Sequence, residues 1–403
     1  MRTVEEQLQL TLGPLAPLPP LEVSLAEVRG CVLAEDITAR HPIPSFDTVA
    51  TSGYAVASVD LRQAEPNAPV ELNVIDSVPA GFRSSAEIAS GTAIRVQSGA
   101  MVPAGADAVV AIDSTDGGST SVLTYQPVSV GQSIRTRGTD AQVESVILPA
   151  GAVLTERAVG IAVTAGRATV LVHPKPRVVV ITTGSELVEP GAPLEPGLVH
   201  DVNSVSLMSA IAGAGGQPYR GGPVADDAQA LSSMIADQLV RADVIVVTGG
   251  LAPGGPTDQV LNASGTFDFS RTAVEPGRMV GAGVLGADRV PVFALPGDPA
   301  AALVEFEVFV RPVIRRLLGY SELFRPVVRA TLTGDLSTTS GVRTFVAAQL
   351  AKTDSGFSVS PLPAGPSTST IEIAQANALI IVTEDVTQQA TGDLVSVIRL
   401  DRE

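Results

Sequence analysis

The stretch Arg177-Val178-Val179-Val180-Ile181-Thr182-Thr183-Gly184 decides the fold class of this chain, because an unbroken apolar run ends there at a Gly turn. The pattern occurs twice more, in Asp243–Val247 before Thr248-Gly249-Gly250 and in Val290–Leu295 before Pro296-Gly297-Asp298-Pro299. Apolar runs without alternation are typical of strands buried on both faces, as in a parallel sheet. Stretches with helical spacing lie between or after these runs, at Ser204–Ala214, Ala228–Arg241 and Ala300–Leu318. We therefore predict an α/β subdomain whose ligands bind beyond the carboxyl ends of its strands.

The rest of the chain reads as helical near its start and β-rich in two separate segments. Residues 3–12 and 155–167 have helical spacing, and Ser24 with Glu27 has the pattern of a capping box that would start a further short helix. Short β-like runs between turn residues predict an all-β subdomain, at Val70–Val78, Ala93–Val96, Ala108–Ile112 and Ser121–Tyr125. Strands return after Arg325-Pro326, at Val327–Leu332, Thr344–Leu350, Phe357–Pro361, Ala378–Val382 and Leu394–Leu400.

These patterns predict four subdomains. Residues 1–45 with 146–175 form a helical N-terminal subdomain, and residues 46–145 form an all-β subdomain inserted into it. Residues 176–325 form the α/β subdomain, and residues 326–403 form a C-terminal β subdomain.

Composition excludes several classes of protein. The formal net charge of the 403 residues is −16, which argues against a nucleic-acid-binding protein, because a polyanion is met by clustered Lys and Arg. Cys31 is the single cysteine, and His41, His173 and His200 lack the spacing of zinc ligands. The first residues lack a signal-peptide profile, and no apolar run approaches the roughly 20 residues that span a bilayer. We therefore expect a cytoplasmic protein that is not embedded in a membrane.

Short motifs along almost the whole chain carry a more specific signal. The segment from Phe46-Asp47 to Gly53-Tyr54-Ala55-Val56 resembles "FDNSAMDGYAV", and Ser98-Gly99-Ala100 with the run from Val102 to Val110 resembles "TGAPVPxGADAVV". The segment 131–140 resembles "GQNIRRRGED", Thr183–Leu187 resembles "TGDEL", Gly249-Gly250 resembles "SGG", and Leu295–Pro299 resembles "LPGNP". In this order, the segments resemble the signatures of the molybdenum insertases, or molybdopterin molybdenumtransferases, a family that includes the E domain of gephyrin.

The resemblance implies a fold, a chemistry and a set of site residues. The implied fold is an elongated homodimer of multi-subdomain chains, with a three-layer α/β molybdopterin-binding-like subdomain and a C-terminal β-barrel-like subdomain. Family members bind adenylated molybdopterin, hydrolyse the adenylate and insert molybdate with Mg²⁺. The matching catalytic positions are Ser52, Glu186 and Asp140. The matching pterin and molybdate positions are Ser98, Arg135, Asp226, Gly249, Gly250, Asp258, Arg271, Glu275, Arg278, Pro296, Asp298, Pro299, Arg343 and Ser367; no metal ligand is assigned.

The chain departs from the family pattern at several of these positions. Ser52 replaces the acidic residue of the first signature, and a neutral hydroxyl cannot hold Mg²⁺ as a carboxylate does. Glu275 stands where the family has a lysine, and Asp298 replaces the Asn of the Pro-Gly turn. Asp258 matches the family's acidic residue only if one residue is inserted before it. Negative charge beside an anion site weakens binding of the anion.

These departures lead us to expect a gephyrin-like dimeric adaptor with lost or residual catalysis. Such an adaptor needs no cofactor and would bind a peptide segment of a tubulin-like cell-division protein or of a membrane receptor. The alternative is an active molybdopterin molybdenumtransferase that uses Mg²⁺ and adenylated molybdopterin. A third possibility is a pterin carrier that binds its ligand without turnover.

Overall fold

The computed structural model describes residues 1–264, 267–269, 271–354, 356–362 and 370–401. The chain forms two compact units. The first, termed the large unit, comprises Met1–Glu22, Gly30–Ala34 and Leu171–Glu403. The second, termed the inserted unit, comprises Val23–Arg29 and Glu35–Val170. The finer division into four subdomains stays a prediction.

A six-stranded sheet forms the centre of the α/β part of the large unit. Its strands, in spatial order, are Gln217–Arg220, Arg177–Thr182, Val244–Thr248, Val290–Leu295, Gly281–Leu285 and Phe267–Asp268. The first four are parallel, and the last two add an antiparallel edge. The three apolar runs that decided the fold class are therefore adjacent parallel strands, and the α/β prediction is confirmed.

Helices cover both faces of this sheet. Their bounds are Val202–Ala214, Ala228–Leu239, Pro256–Ala263 and Pro299–Glu305, followed by a π-helical turn Phe306–Val310 and the helix Arg311–Leu317. Val178 and Val180 pack with Leu207 on one face of the sheet, whereas Val179 and Ile181 pack on the opposite face in a second apolar cluster. Full burial of each such side chain stabilises the fold by about 1.5–3 kcal/mol, which is why these strands do not alternate in polarity.

The C-terminal strands close into a barrel, as expected. They are Val327–Leu332, Arg343–Thr353, Gly356–Pro361, Ala378–Val382 and Leu394–Arg399. Closure depends on the long strand Arg343–Thr353, which pairs with both Gly356–Pro361 and Ala378–Val382. A short strand, Val274–Glu275, also pairs with Arg343 and Thr344 and so joins the α/β part to this barrel.

Smaller elements complete the large unit. They are the helices Val4–Leu12 and Thr370–Gln375 and the strand pairs Val32–Leu33 with the end of Thr169–His173, Leu187–Val188 with Val199–His200, and Leu336–Ser337 with Gln388–Gln389. Among the described residues, no helix is long and apolar enough to cross a membrane.

The inserted unit contains a five-stranded sheet. Its spatial order is Ala108–Ala111, Gly53–Val56, Thr92–Val96, Val70–Val78 and Ser121–Thr124. The other elements are the helix Glu156–Thr164, the 3₁₀ turns Ser58–Leu61 and Ile112–Ser114, and the strand pairs Ile37–Thr38 with Val146–Leu148 and Thr48–Val49 with Ile134–Arg135.

One expected helix is absent. Ser24 ends a short strand, Leu21–Ser24, and the following residues form a turn in which the Glu27 N–H donates to the Ser24 carbonyl. The Leu25 N–H donates a hydrogen bond to the carbonyl oxygen of Ala168. This long-range backbone pairing outweighs the weak local preference of a capping-box pattern, so the helix prediction at Ser24 is wrong.

Candidate functional site

A cavity of about 870 Å³ opens at the carboxyl ends of the parallel strands in the large unit. Thr183-Gly184, Thr248-Gly249-Gly250 and Pro296-Gly297 line it, and each segment follows one of the three strands that decided the fold. The strand ends lie level, because Thr182 pairs with Thr248 and Thr248 pairs with Leu295. This is the edge at which α/β proteins bind ligands.

Gly249 and Gly250 allow two strand ends to approach each other closely. A β-carbon on Gly249 would lie 2.3 Å from the carbonyl oxygen of Thr183, and the Gly249 φ is +88°. Gly250 also has a positive φ, of +63°. The Thr257 hydroxyl donates to the Gly249 carbonyl at 2.8 Å and fixes the turn against the helix Pro256–Ala263. Any side chain at Gly249 would therefore separate the strands that form the floor of the cavity.

Two acidic side chains, Glu186 and Asp226, line one wall of the cavity. Asp226 is held beside the Glu186 backbone, because the Ser185 N–H donates to Asp226 Oδ2 at 3.3 Å and the Asp226 N–H donates to the Ser185 hydroxyl at 3.1 Å. The neighbouring Asp227 has a different role, since it caps the helix Ala228–Leu239 by accepting from the Ala230 N–H. Glu186 and Asp226 are both exposed and therefore open to a ligand.

A buried ion pair supports the same wall. Asp201 accepts hydrogen bonds from the Thr182 hydroxyl at 2.8 Å, from the Ser204 N–H at 3.1 Å and from Arg220 Nη2 at 3.0 Å. Burial by itself would raise the pKa of Asp201, but the hydrogen bonds from Ser204, Arg220 and Thr182 outweigh burial, and the pKa lies below its usual range. Asp201 is therefore a fixed carboxylate that holds the start of the helix Val202–Ala214 at the cavity.

Asn203 is a cavity residue that sequence reasoning missed. Its Nδ2 donates to the Thr248 hydroxyl at 3.2 Å and to the Gly297 carbonyl at 2.9 Å, and so joins two strand ends. Asn203 lines the cavity, yet only 7% of the residue is exposed, and its Oδ1 has no hydrogen-bond partner among the described residues. A buried acceptor without a partner is rare in proteins, so Oδ1 is a candidate to receive a hydrogen bond from a ligand. The polar cluster Asp201–Ser204 before an apolar helix was the available sequence signal.

Gly277 and Met279 bring the loop 275–279 to the other side of the cavity. The charges predicted there neutralise each other, since Arg278 Nη2 lies 3.1 Å from Glu275 Oε2 and the two side chains are about one-third exposed. The backbone carbonyl of Arg271 accepts from the Arg2 N–H. Arg343 forms ion pairs with Glu5 and Glu384. Glu275 is therefore not an isolated negative charge in the large unit.

The carboxylates of Asp258 and Asp298 have local structural partners. Asp258 accepts from the Gly254 N–H at 2.8 Å and from Asn262 Nδ2 at 2.6 Å. Asp298 accepts from the Ala301 N–H at 2.8 Å and caps the helix Pro299–Glu305. Pro296 and Pro299, on either side of this cap, line the cavity.

The remaining predicted site residues belong to the inserted unit or lie outside the described residues. Ser52 and Ser98 are neighbours, because the Ser98 N–H donates to Ser52 Oγ at 2.9 Å. Arg135 and Asp140 form an ion pair and line a second cavity, of about 1150 Å³. Ser367 lies outside the described residues. The structure therefore divides the predicted residues into one group in each unit. Among the described residues, no group of three or more His, Cys, Asp or Glu side chains could hold a metal ion.

Comparison with known proteins places this fold in one class. Three family models match: "MoeA N-terminal region (domain I and II)" over residues 2–166, "Probable molybdopterin binding domain" over residues 179–316 and "MoeA C-terminal region (domain IV)" over residues 329–400. The solved structure of a molybdopterin biosynthesis MoeA protein from Pyrococcus horikosii superimposes with a TM-score of 0.81 at 29% identity, over 99% of this chain and 98% of that one. The chain therefore has the multi-domain MoeA fold.

Curated relatives identify the family. Molybdopterin molybdenumtransferases 1 and 2 of Mycobacterium tuberculosis are 36% and 35% identical to this chain; each alignment covers 98% of it, and 98% and 99% of those proteins. A molybdopterin molybdenumtransferase of Staphylococcus aureus is 29% identical over 94% of this chain. The chain belongs to the molybdopterin molybdenumtransferase (MoeA) family.

These relatives overturn the expectation of a gephyrin-like adaptor. The bacterial proteins that match over almost their whole length carry the name of a transferase, and nothing in the comparisons supports a scaffold, a cell-division role or a peptide partner. The structure removes much of the physical reason for that expectation, because Glu275 is paired with Arg278 and Asp298 caps a helix. Both carboxylates that were expected to face an anion therefore have partners within the fold.

Proposed function

We propose that this chain is an active molybdopterin molybdenumtransferase, which takes adenylated molybdopterin and molybdate as substrates. The observation that carries the proposal is the cavity at the level ends of three parallel strands, with Gly turns on its floor and Glu186 and Asp226 on one wall. The printed name of the relatives, molybdopterin molybdenumtransferase, supports the same activity.

In this proposal the cavity binds the phosphate-bearing part of the pterin substrate. The N–H groups of Gly184 and Gly249 already donate to the carbonyl oxygens of Val224 and Leu295, so the candidates for phosphate binding are the N–H of Gly250, which has no acceptor among the described residues, and the N–H groups in the first turn of the helix Pro256–Ala263. Such groups bind phosphate oxygens without a side chain. Oδ1 of Asn203 accepts a hydrogen bond from the ligand, which supplies the partner that this atom lacks among the described residues.

The residues at the wall fit Mg²⁺ as the family uses it. Mg²⁺ keeps several waters and is usually held by one or two carboxylates together with substrate phosphates, so an all-protein cage is not required. Glu186 and Asp226 would hold the ion, which would neutralise phosphate charge during hydrolysis of the adenylate. The carboxylate oxygen of Glu186 that does not hold the ion would accept a proton from the attacking water, while Asp201 and Arg220 keep the wall in place. We also propose, from the family resemblance, that the chain acts as a homodimer in the cytoplasm.

The test is a single-turnover assay of the purified chain with adenylated molybdopterin, molybdate and Mg²⁺. We expect AMP to be released together with formation of the molybdenum cofactor. Glu186→Gln is expected to slow AMP release by about 100-fold, the scale of a general base. Glu195→Gln, at an exposed glutamate of the same unit, is the matched control. Binding of the pterin without AMP release by the natural chain would instead support a carrier.

A further inference from the structure

Glu305 is a buried glutamate that the proposed mechanism does not use. It is the last residue of the helix Pro299–Glu305 and is 0% exposed. Neither Oε1 nor Oε2 has a hydrogen-bond partner among the described residues. Burial raises the pKa of Glu305 well above its ordinary value, because an ionised carboxylate without a partner is very costly in an apolar interior. Burial therefore favours the uncharged carboxylic acid form of Glu305.

The carboxyl group of Glu305 lies directly against the loop at the cavity. A β-carbon on Gly277 would stand 1.9 Å from Oε1 and 3.1 Å from Cγ of Glu305. Only the missing side chain of Gly277 makes this contact possible, and Gly277 itself lines the cavity. The backbone is unusual here, with a φ of +121° at Gly277 and +81° at Arg278. Glu305 thus fills the space beneath the loop that carries the Glu275–Arg278 ion pair.

Among the described residues, no charged side chain forms a hydrogen bond with the Glu305 carboxyl group. Of the elements packed on its helix, Val202–Ala214 and Val290–Leu295 contain no titratable side chain. Asp201 and Asp298 are charged residues at helix starts, Glu307 and Glu372 belong to the neighbouring turn and helix, and Glu275 and Arg278 belong to the loop. Asp201 pairs with Arg220, Glu307 pairs with Arg311 and Arg325, and Glu275 pairs with Arg278. Burial is the cause of the raised Glu305 pKa.

We propose that Glu305 is a positioning residue for the loop 275–278, and that its uncharged form keeps this loop closed on the helix and the cavity receptive to an oxyanion. When Glu305 ionises, hydration of the carboxylate becomes strongly favourable. Water reaches the carboxylate only if Gly277 is displaced, so the loop moves away from the helix. The same charge opposes an anion in the cavity. This inference rests on the proposed function only in taking molybdate as the oxyanion.

The proposal gives the cavity a pH dependence with a defined sign. The folded chain holds the Glu305 proton more tightly than the unfolded chain, whose pKa is near the ordinary 4.5. The stability contributed by this proton is therefore fully present below pH 4.5, and it is lost as the pH rises towards the folded pKa. Oxyanion binding and closure of the loop weaken as the pH rises through the folded pKa itself.

The test compares the natural chain with Glu305→Gln, which keeps the shape and cannot ionise, and with Glu322→Gln, a change at an exposed glutamate. Three quantities are measured from pH 5 to pH 9: the thermal midpoint, amide exchange of residues 271–279 corrected for intrinsic rates, and molybdate affinity by calorimetry. We expect the midpoint of the natural chain and of Glu322→Gln to fall more steeply with pH than that of Glu305→Gln. Protection of the loop and molybdate affinity should fall at high pH in the natural chain and in Glu322→Gln, but not in Glu305→Gln. At the highest pH, the molybdate affinity of Glu305→Gln should be at least fivefold above that of the natural chain.

The outcomes separate this inference from the proposed function. Parallel midpoint curves for the natural chain and Glu305→Gln would overturn the inference, as would a loop whose protection is the same in both at every pH. If none of the three chains binds molybdate at any pH, the proposed function is contradicted, and the melting and exchange data decide on Glu305 by themselves. An unfolded Glu305→Gln chain would show that the carboxylic acid itself is required for folding. That result would overturn the proposed role of Glu305 as an uncharged positioning residue.

Discussion

Asp201 and Arg220 form an ion pair at the supporting wall of the cavity, with 3.0 Å between Oδ2 and Nη2. The Asp201 side chain is only 1% exposed, whereas that of Arg220 is 27% exposed and also reaches Glu189. The pair therefore connects the buried start of the helix Val202–Ala214 to the strand Gln217–Arg220 at the sheet edge. A buried carboxylate held by three donors is a sensitive point for both stability and pH.

We predict that Asp201→Asn lowers the free energy of unfolding by about 2 kcal/mol at pH 7, because the charge-assisted hydrogen bonds are lost. Since the folded pKa of Asp201 is lowered, its contribution is present above the ordinary value of 3.8 and is lost as the pH falls through the folded pKa. The difference between the two chains should therefore shrink below pH 3.8. Urea unfolding at a series of pH values measures it. Asp227→Asn, which changes only a helix cap, should cost much less.

Glu275→Gln should tighten binding of molybdate, because it releases Arg278 from an ion pair beside the cavity. Partly exposed ion pairs are worth up to about 1 kcal/mol, so the gain should be about fivefold or less and smaller at high salt. Calorimetry at two ionic strengths is the measurement. Glu189→Gln removes the same charge from a different ion pair and serves as the control. An equal effect of both variants would mean that net charge, and not the release of Arg278, is responsible.

Gly277→Ala should destabilise the chain by about 2–3 kcal/mol, since the new methyl group would meet the Glu305 carboxyl and the φ of +121° disfavours a side chain. Combining it with Glu305→Ala removes the steric clash, so that only the destabilisation from the backbone conformation at residue 277 remains. A double-mutant cycle in urea should therefore show a favourable coupling of about 1 kcal/mol or more. Strict additivity of the two changes would refute the contact as described.

Ser52→Asp should raise the rate of AMP release, because it restores a carboxylate at the position of the family's acidic residue while keeping an acceptor for the Ser98 N–H. We expect an increase of about tenfold in kcat, the lower range for acid–base assistance, with little change in KM. Ser52→Ala is the matched control, which loses the hydrogen bond and gains no carboxylate. A fall in kcat with Ser52→Asp would show that the hydroxyl itself is adapted to the reaction.

Three of the six strands of the α/β sheet and the strands of the barrel could be predicted from sequence, because unbroken or alternating apolar runs report directly on burial. The strands Gln217–Arg220, Gly281–Leu285 and Phe267–Asp268 were missed because they lack such a run. The strand Gly53–Val56 was missed because it lies inside a motif, although the predicted strands Ala108–Ala111 and Ser121–Thr124 are equally short. Asn203 and Glu305 could not have been found by pattern alone. Asn203 depends on partners 45 and 94 positions away, and Glu305 is buried by a glycine loop that precedes it in the chain.

The mistaken adaptor hypothesis has the same physical origin. From the sequence, the charges of Glu275 and Asp298 were summed as if both faced the ligand. In the structure, Glu275 forms an ion pair with Arg278 and Asp298 caps a helix. The motifs identified the strand ends that form the cavity, but they did not show which side chains are already occupied there. Partner assignments of this kind depend on tertiary contacts.

The central claim, that this chain inserts molybdate, is tested most directly by complementation. The chain would be expressed in a bacterium that lacks its own molybdenum insertase, and the activity of a molybdoenzyme would be measured, with Glu186→Gln as the inactive control. We predict that the natural chain restores the molybdoenzyme and that Glu186→Gln does not. Failure of the natural chain, expressed and folded at the level of a working insertase, would contradict the claim, most clearly if a Ser52→Asp, Glu275→Lys double variant restored the activity.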